Sequence, residues 1–174
     1  MTPHWIPLAL VGWVVAQRLA ELVLARRNTR VLIDEEGARE VAPGHYPLIV
    51  ALHAAWLAAV AWVAWHATEI HWPWLALFLI LQVGRVWVLV TLGRYWTTRI
   101  IVVPDAPLIR RGPYRYTRHP NYLIVAGEIV ALPLVFGAWE VALVFSILNA
   151  GVLAVRIRAE EAANEHRGPL TPSS

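Results

Sequence analysis

The residue types best suited to chemistry are concentrated in two stretches of the chain. Arg111 to Tyr122, RGPYRYTRHPNY, packs three arginines, three tyrosines, a histidine and two prolines into twelve positions. Tyr114, Tyr116 and Tyr122 offer flat faces with hydroxyl tips, suited to stacking on a heterocycle and to contact with a cation. His119 adds a proton donor or acceptor beside Arg118. Gly112-Pro113, Pro120 and the Pro104/Pro107 pair fix the backbone in turns, which a merely solvated loop does not need. The second stretch, RIRAEEAANEH, starts at Arg156. On a helix continuing from Asn149, Arg156 and Glu160 are four residues apart and share a face, while Arg158 and Glu161 lie round to other faces. Taken alone, the first stretch is a basic loop that binds lipid headgroups, and the second holds a surface ion pair worth a few tenths of a kcal/mol. Taken together they suit a ligand with an aromatic base, a carboxylate and a positive centre.

The elements that must position these residues lie in a membrane. Of 174 residues 58% are hydrophobic, ten are tryptophan and only 16% are charged, too apolar for a soluble domain. No cysteine is present, which excludes disulfides, thiolate metal sites and a cysteine nucleophile. All fifteen basic residues are arginine. The first apolar run lacks a basic leader and a small-residue cleavage site, so it is expected to stay as a helix. About 20 residues of helix cross a hydrocarbon core of roughly 30 Å. Runs of that kind occupy Trp5–Ala25, Pro47–Ala67 and Trp72–Gly93; two shorter ones, Tyr122–Phe136 and Trp139–Val155, form a hairpin about Gly137 and Ala138. The expected fold is an all-α integral membrane protein of about five transmembrane helices. Four spans with a partly inserted final hairpin is the alternative.

Arginines alternate with these runs. Arg26, Arg27, Arg30 and Arg39 follow the first, none follows the second, six between Arg94 and Arg118 follow the third, none occupies the hairpin tip, and Arg156, Arg158 and Arg167 follow the last. The N-terminus is therefore expected outside, and the C-terminus and the loop between helices 3 and 4 in the cytosol. Trp5, Trp72, Trp74 and Trp139 then fall at the outer interface. Within NTRVLIDEEGAREVAPGHYP, a short interfacial segment followed by a turn is expected. The chain reads as one membrane domain, 1–174: helices 1–3 over 1–93, a ligand-binding region over 94–161, and a disordered tail over 162–174.

Three polar residues lie inside the runs at one depth. Arg85, Glu128 and Asn149 are each about 9 to 12 Å inside the boundary at 1.5 Å per residue. Lipid exposure of a charge there is costly, so Arg85 and Glu128 should turn inward and pair, with Asn149 near enough to hydrogen-bond one of them. They form either a helix clamp or the floor of a chamber for the polar head of a substrate. His53, His66 and His71 are unhelpfully spaced for a metal, and neither a metal nor nucleic acid is expected as a partner.

GPYRYTRHPNY, followed by a helical hairpin and RIRAEE, resembles the signature of the isoprenylcysteine carboxyl methyltransferase family of integral-membrane, S-adenosylmethionine-dependent enzymes. The similarity covers Gly93 to Glu161. It implies a cytosolic site in a bacterial cytoplasmic membrane. Leu108, Ile109 and Tyr114 would line the cofactor pocket, His119, Pro120, Asn121 and Tyr122 would wrap the cofactor, Glu160 would bind it, and Arg156 would face a lipophilic acceptor. His119 and Glu161 are the two candidates for a general base. Prenylcysteine-specific members carry a longer helical segment after the Glu-Glu pair, where this chain has ANEHRGPLTPSS. The chain is most similar to the short bacterial branch resembling O-methyltransferases of alkylpyrones and alkylresorcinols. Carboxyl methylation of an isoprenylcysteine-like substrate, or a non-catalytic protein on the same scaffold, are the alternatives.

Overall fold

Five helices account for nearly all of the computed structural model, which describes residues 5–104 and 109–165. They are α1 (Trp5–Glu36), α2 (Tyr46–His66), α3 (Trp72–Leu92), α4 (Pro120–Val135) and α5 (Trp139–Glu165). Four are long and apolar enough to cross a membrane, and α4, at 16 residues, is not. Its rise of about 24 Å falls short of a hydrocarbon core. Rather than facing lipid along its length, α4 buries Tyr122, Glu128, Ile129, Ala131, Leu132, Pro133 and Val135 among its neighbours. Valines and tryptophans on the other helices, such as Trp62, Val83 and Val90, stay exposed as a lipid-facing coat.

Two boundaries differ from the sequence expectation. Hydropathy ends the first span at Ala25, but α1 runs unbroken to Glu36, so the expected separate interfacial segment is a continuation of that helix. Between Ala25 and Gly37 there is no proline or glycine to stop it. Similarly α5 runs on through Glu165, into the stretch expected to be a disordered tail from 162. Hydropathy marks where the membrane ends, and nothing stops either helix there.

The bundle is layered along its axis. Val11, Val14, Trp56, Val60, Phe78, Ile129, Leu132 and Val135 form one apolar core. A smaller one, Ala25, Val88 and Trp96 with Tyr114 and Ile124 packed on it, lies toward the arginine-rich end. Helices α3 and α4 approach closely between them: a Cβ on Gly127 would stand 2.9 Å from a Leu81 methyl.

At the arginine-rich end the extension of α1 organises the loops. Asn28 donates to the carbonyls of Gly93 and Trp96 at 3.2 and 2.8 Å, fastening the turn that follows α3 to α1. β1 (Arg39–Glu40) pairs antiparallel with β2 (Ile101–Val102), tying the first loop to the third. Arg94 and Arg99 reinforce the tie through Glu36 at 3.1 Å and Glu40 at 2.7 Å. The third loop is thus held against α1 before it reaches the tyrosine-rich stretch.

Candidate functional site

Gly112 starts that stretch with φ +57, and a Cβ there would sit 2.4 Å from Thr91 Oγ1 on α3. Only glycine allows the turn to lie so close to the helix. From it, a 3-10 turn over Gly112–Arg115 delivers Tyr114, and Pro120 opens α4 at its first position, where a missing N–H costs nothing. α5 arrives antiparallel to α4 with Ala142, Asn149 and Arg156 buried at seven-residue intervals. That seam brings Arg156 and Glu160 onto the first turn of α4.

The cluster so formed centres on the Tyr122 hydroxyl, which donates to Glu160 Oε1 and accepts from Arg156 Nε at 2.7 Å. Arg156 Nε is also 3.6 Å from Glu160 Oε1, and its guanidinium carbon lies 5.6 Å from the centre of the Tyr122 ring. His119 stacks on the same ring, centroids 5.3 Å apart and planes 14° apart, and its Nδ1 is 3.5 Å from Glu160 Oε2. Burial, with the Glu160 carboxylate adding to it, pushes the Tyr114 hydroxyl up to about 12, so the phenol stays neutral at any ordinary pH. Asn121 Oδ1 is buried with no hydrogen-bond partner among the described residues. Leu123 and Val155, adjoining Tyr122 and Arg156, are exposed, so the cluster borders the apolar outer surface.

Chain comparison bears on this same region. A family model described as isoprenylcysteine carboxyl methyltransferase (ICMT) family matches residues 74–166, more than half of the chain and all of the cluster. The chain belongs to the ICMT family. An uncharacterized protein YpbQ of Bacillus subtilis (strain 168) is 40% identical over 158 residues, 88% of this chain and 94% of that one. An uncharacterized protein of Haemophilus influenzae is 36% identical over 84 residues, 48% of this chain and 49% of that one. No solved structure matches. Membership of the ICMT family makes this chain a membrane methyltransferase.

Of the ICMT-family positions read from the sequence, Tyr114, His119, Pro120, Asn121, Tyr122, Arg156 and Glu160 converge at the junction of α4 and α5. Ile109 lies half-buried in the approach to the turn, and Leu108 lies outside the described residues. Glu161, the other expected candidate for a base, is exposed on α5, one position on from Glu160.

Arg85 and Glu128 pair inside the bundle at 3.0 Å. Their other partners come from α1 and α3, and not from Asn149, which is buried on the Arg156 face of α5. Glu21 takes Arg85 in a fork, both contacts at 2.6 Å; Arg18 reaches Glu21 at 2.9 Å and Glu128 at 2.8 Å. Gln82 donates to Glu128 at 2.9 Å, and Gln17 donates to Gln82 at 2.8 Å and to Glu21 at 3.0 Å. All three nitrogens of the Arg85 guanidinium are engaged by carboxylates. Sequence reasoning missed Gln17, Arg18, Glu21 and Gln82. For the three on α1 the signal was the i, i+1, i+4 spacing of 17, 18 and 21 in an otherwise apolar run, a single polar stripe.

Proposed function

We propose that the protein transfers a methyl group from S-adenosylmethionine to an oxygen of a lipophilic acceptor, at a site facing the cytosol across the bacterial cytoplasmic membrane. The observation that carries this reading is the closed set Tyr122, Glu160, Arg156 and His119 within the family-matched region. The residues fit such a cofactor. Asn121 Oδ1 is an acceptor awaiting a donor, Glu160 is a carboxylate for an amino or ribose hydroxyl group, and Tyr114 with the His119–Tyr122 stack supplies aromatic faces. Bound there, S-adenosylmethionine supplies an electrophilic methyl on a sulfonium.

With the donor already activated, the protein's task is to hold two reactants in line and keep water out. Arg156 spends Nε on Tyr122, and its terminal nitrogens have no partner among the described residues, so they are available to an acceptor oxyanion. His119 directs Nδ1 at Glu160, which leaves Nε2 as the proton acceptor if the hydroxyl arrives neutral. An acceptor with an acidic ring hydroxyl and a long alkyl chain suits this arrangement, because its ring reaches Arg156 while its chain stays beside Leu123 and Val155 in lipid. A long-chain alkylpyrone or alkylresorcinol has that form.

Calorimetric titration with S-adenosylhomocysteine in detergent tests the cofactor. Tyr122→Ala and Glu160→Ala should each weaken binding at least about tenfold while the protein remains folded, and unchanged affinity in both would remove the site. Assays offering an alkylresorcinol beside a farnesylcysteine acceptor test the substrate. Turnover of only the second would replace the phenolic lipid with an isoprenylcysteine-like carboxylate, and binding without turnover of either would leave the scaffold non-catalytic.

A further inference from the structure

Away from the α4–α5 cluster, the arginine-rich end contains a second basic feature. A cavity of about 280 Å³ opens between the extension of α1 and the start of the third loop, lined by Arg26, Thr29, Arg30, Thr98 and Arg99. Arg26 and Arg30 stand one turn apart on one face of α1, a like-charge spacing that destabilises an isolated helix. Neither has an ion-pair partner among the described residues. The opposite wall is held in place: Arg99 binds Glu40 at 2.7 Å and lies 4.7 Å over the Tyr46 ring, while the Thr98 hydroxyl bonds that of Tyr46 at 3.1 Å. Glu40 offsets one of three guanidinium charges, so the cavity has a net excess of two. Its depth also matters. Arg26 is 21 residues along α1 from Trp5, a rise of about 30 Å, which sets it at headgroup level if Trp5 marks the other interface.

We propose that this cavity binds a phosphate group of the kind carried by an anionic lipid headgroup. Two unpaired guanidiniums from α1, a third from the loop and two threonine hydroxyls supply the donors that a phosphate dianion accepts. Occupancy would bridge Arg26 and Arg30 to Thr98 and Arg99, adding a tie between α1 and the loop that leads to Gly112. Like-charge repulsion on α1 is relieved in the same step.

Native mass spectrometry of the detergent-solubilised protein, with phosphatidic acid or phosphatidylcholine added, tests this directly. Phosphatidic acid should be retained by the unaltered protein and by Arg27→Gln, whose exposed side chain lies on α1 outside the cavity. Arg26→Gln and Arg30→Gln should each lose retention by about tenfold or more, and Thr29→Val, which leaves charge unchanged, should lose part of it. Competition with inorganic phosphate separates the sources: displacement of the lipid assigns the site to a soluble phosphate, and resistance assigns it to the headgroup. Equal losses in Arg27→Gln and Arg26→Gln would show diffuse attraction to a basic surface and overturn the site, as would equal retention of phosphatidylcholine. Thermal unfolding of each variant without lipid checks that the fold is kept.

Discussion

At the residue scale, the site turns on a hydroxyl shared between a cation and a carboxylate. Because Tyr122 already occupies Arg156 Nε, removing the guanidinium should disturb acceptor chemistry more than cofactor affinity. Arg156→Ala should therefore lower kcat by a much larger factor than it weakens S-adenosylhomocysteine binding, and equal losses would assign Arg156 to the cofactor. Tyr114 gives a pH prediction with a definite sign. Its hydroxyl loses its proton near 10 when unfolded and near 12 when folded, so between those values the unfolded chain binds fewer protons. Its contribution to stability is complete below pH 10 and declines as pH rises toward 12. Thermal unfolding followed from pH 8 upward should fall less steeply in Tyr114→Phe. Side chains of this kind were legible because RGPYRYTRHPNY and RIRAEE stand out against an apolar background. Glu161 was not separable from Glu160 by residue type, and only the direction of the α5 face parts them.

At the scale of elements, the turn at Gly112 and the overhang of α1 determine where the site residues stand. Gly112→Ala forces a left-handed φ on a residue with a Cβ and drives that atom into Thr91, at a cost of about 1–3 kcal/mol. It should lower the unfolding temperature and the activity together. Adding Thr91→Ala should restore part of both, because it removes the clash and leaves the strain in φ. Helix existence was legible in five apolar runs, and α2 and α3 end within a residue of where hydropathy places them. The ends of α1 and α5 were not, since a helix that leaves the bilayer loses its hydropathy signal but keeps its hydrogen bonds. The sequence reading had no signal for β1 and β2, two residues each, whose pairing spans from Arg39 to Val102.

At the scale of the molecule, a polar stratum crosses an apolar bundle, with two arginines and two glutamates from three helices in balance. The pairing of Arg85 with Glu128 followed from their shared depth, whereas the share taken by α1 depended on which way its polar stripe turned. Balance makes the direction of a mutation's effect predictable. Glu128→Gln leaves an arginine uncompensated and should cost about 3–5 kcal/mol, read as lower thermal stability with near-normal specific activity in the protein that survives. Arg85→Gln combined with Glu21→Gln leaves Arg18 and Glu128 paired at 2.8 Å and should cost less than either single change. The same ledger follows the chain through biogenesis. Arg18 and Glu21 neutralise each other within α1, so that helix can enter the bilayer by itself. Arg85 in α3 arrives next and tips the nascent bundle positive until α4 delivers Glu128 from the ribosome. Between those two moments the charge of Arg85 is answered only by a Glu21 that Arg18 already shares, so a chain released before α4 should be the species that the cell's quality control clears first.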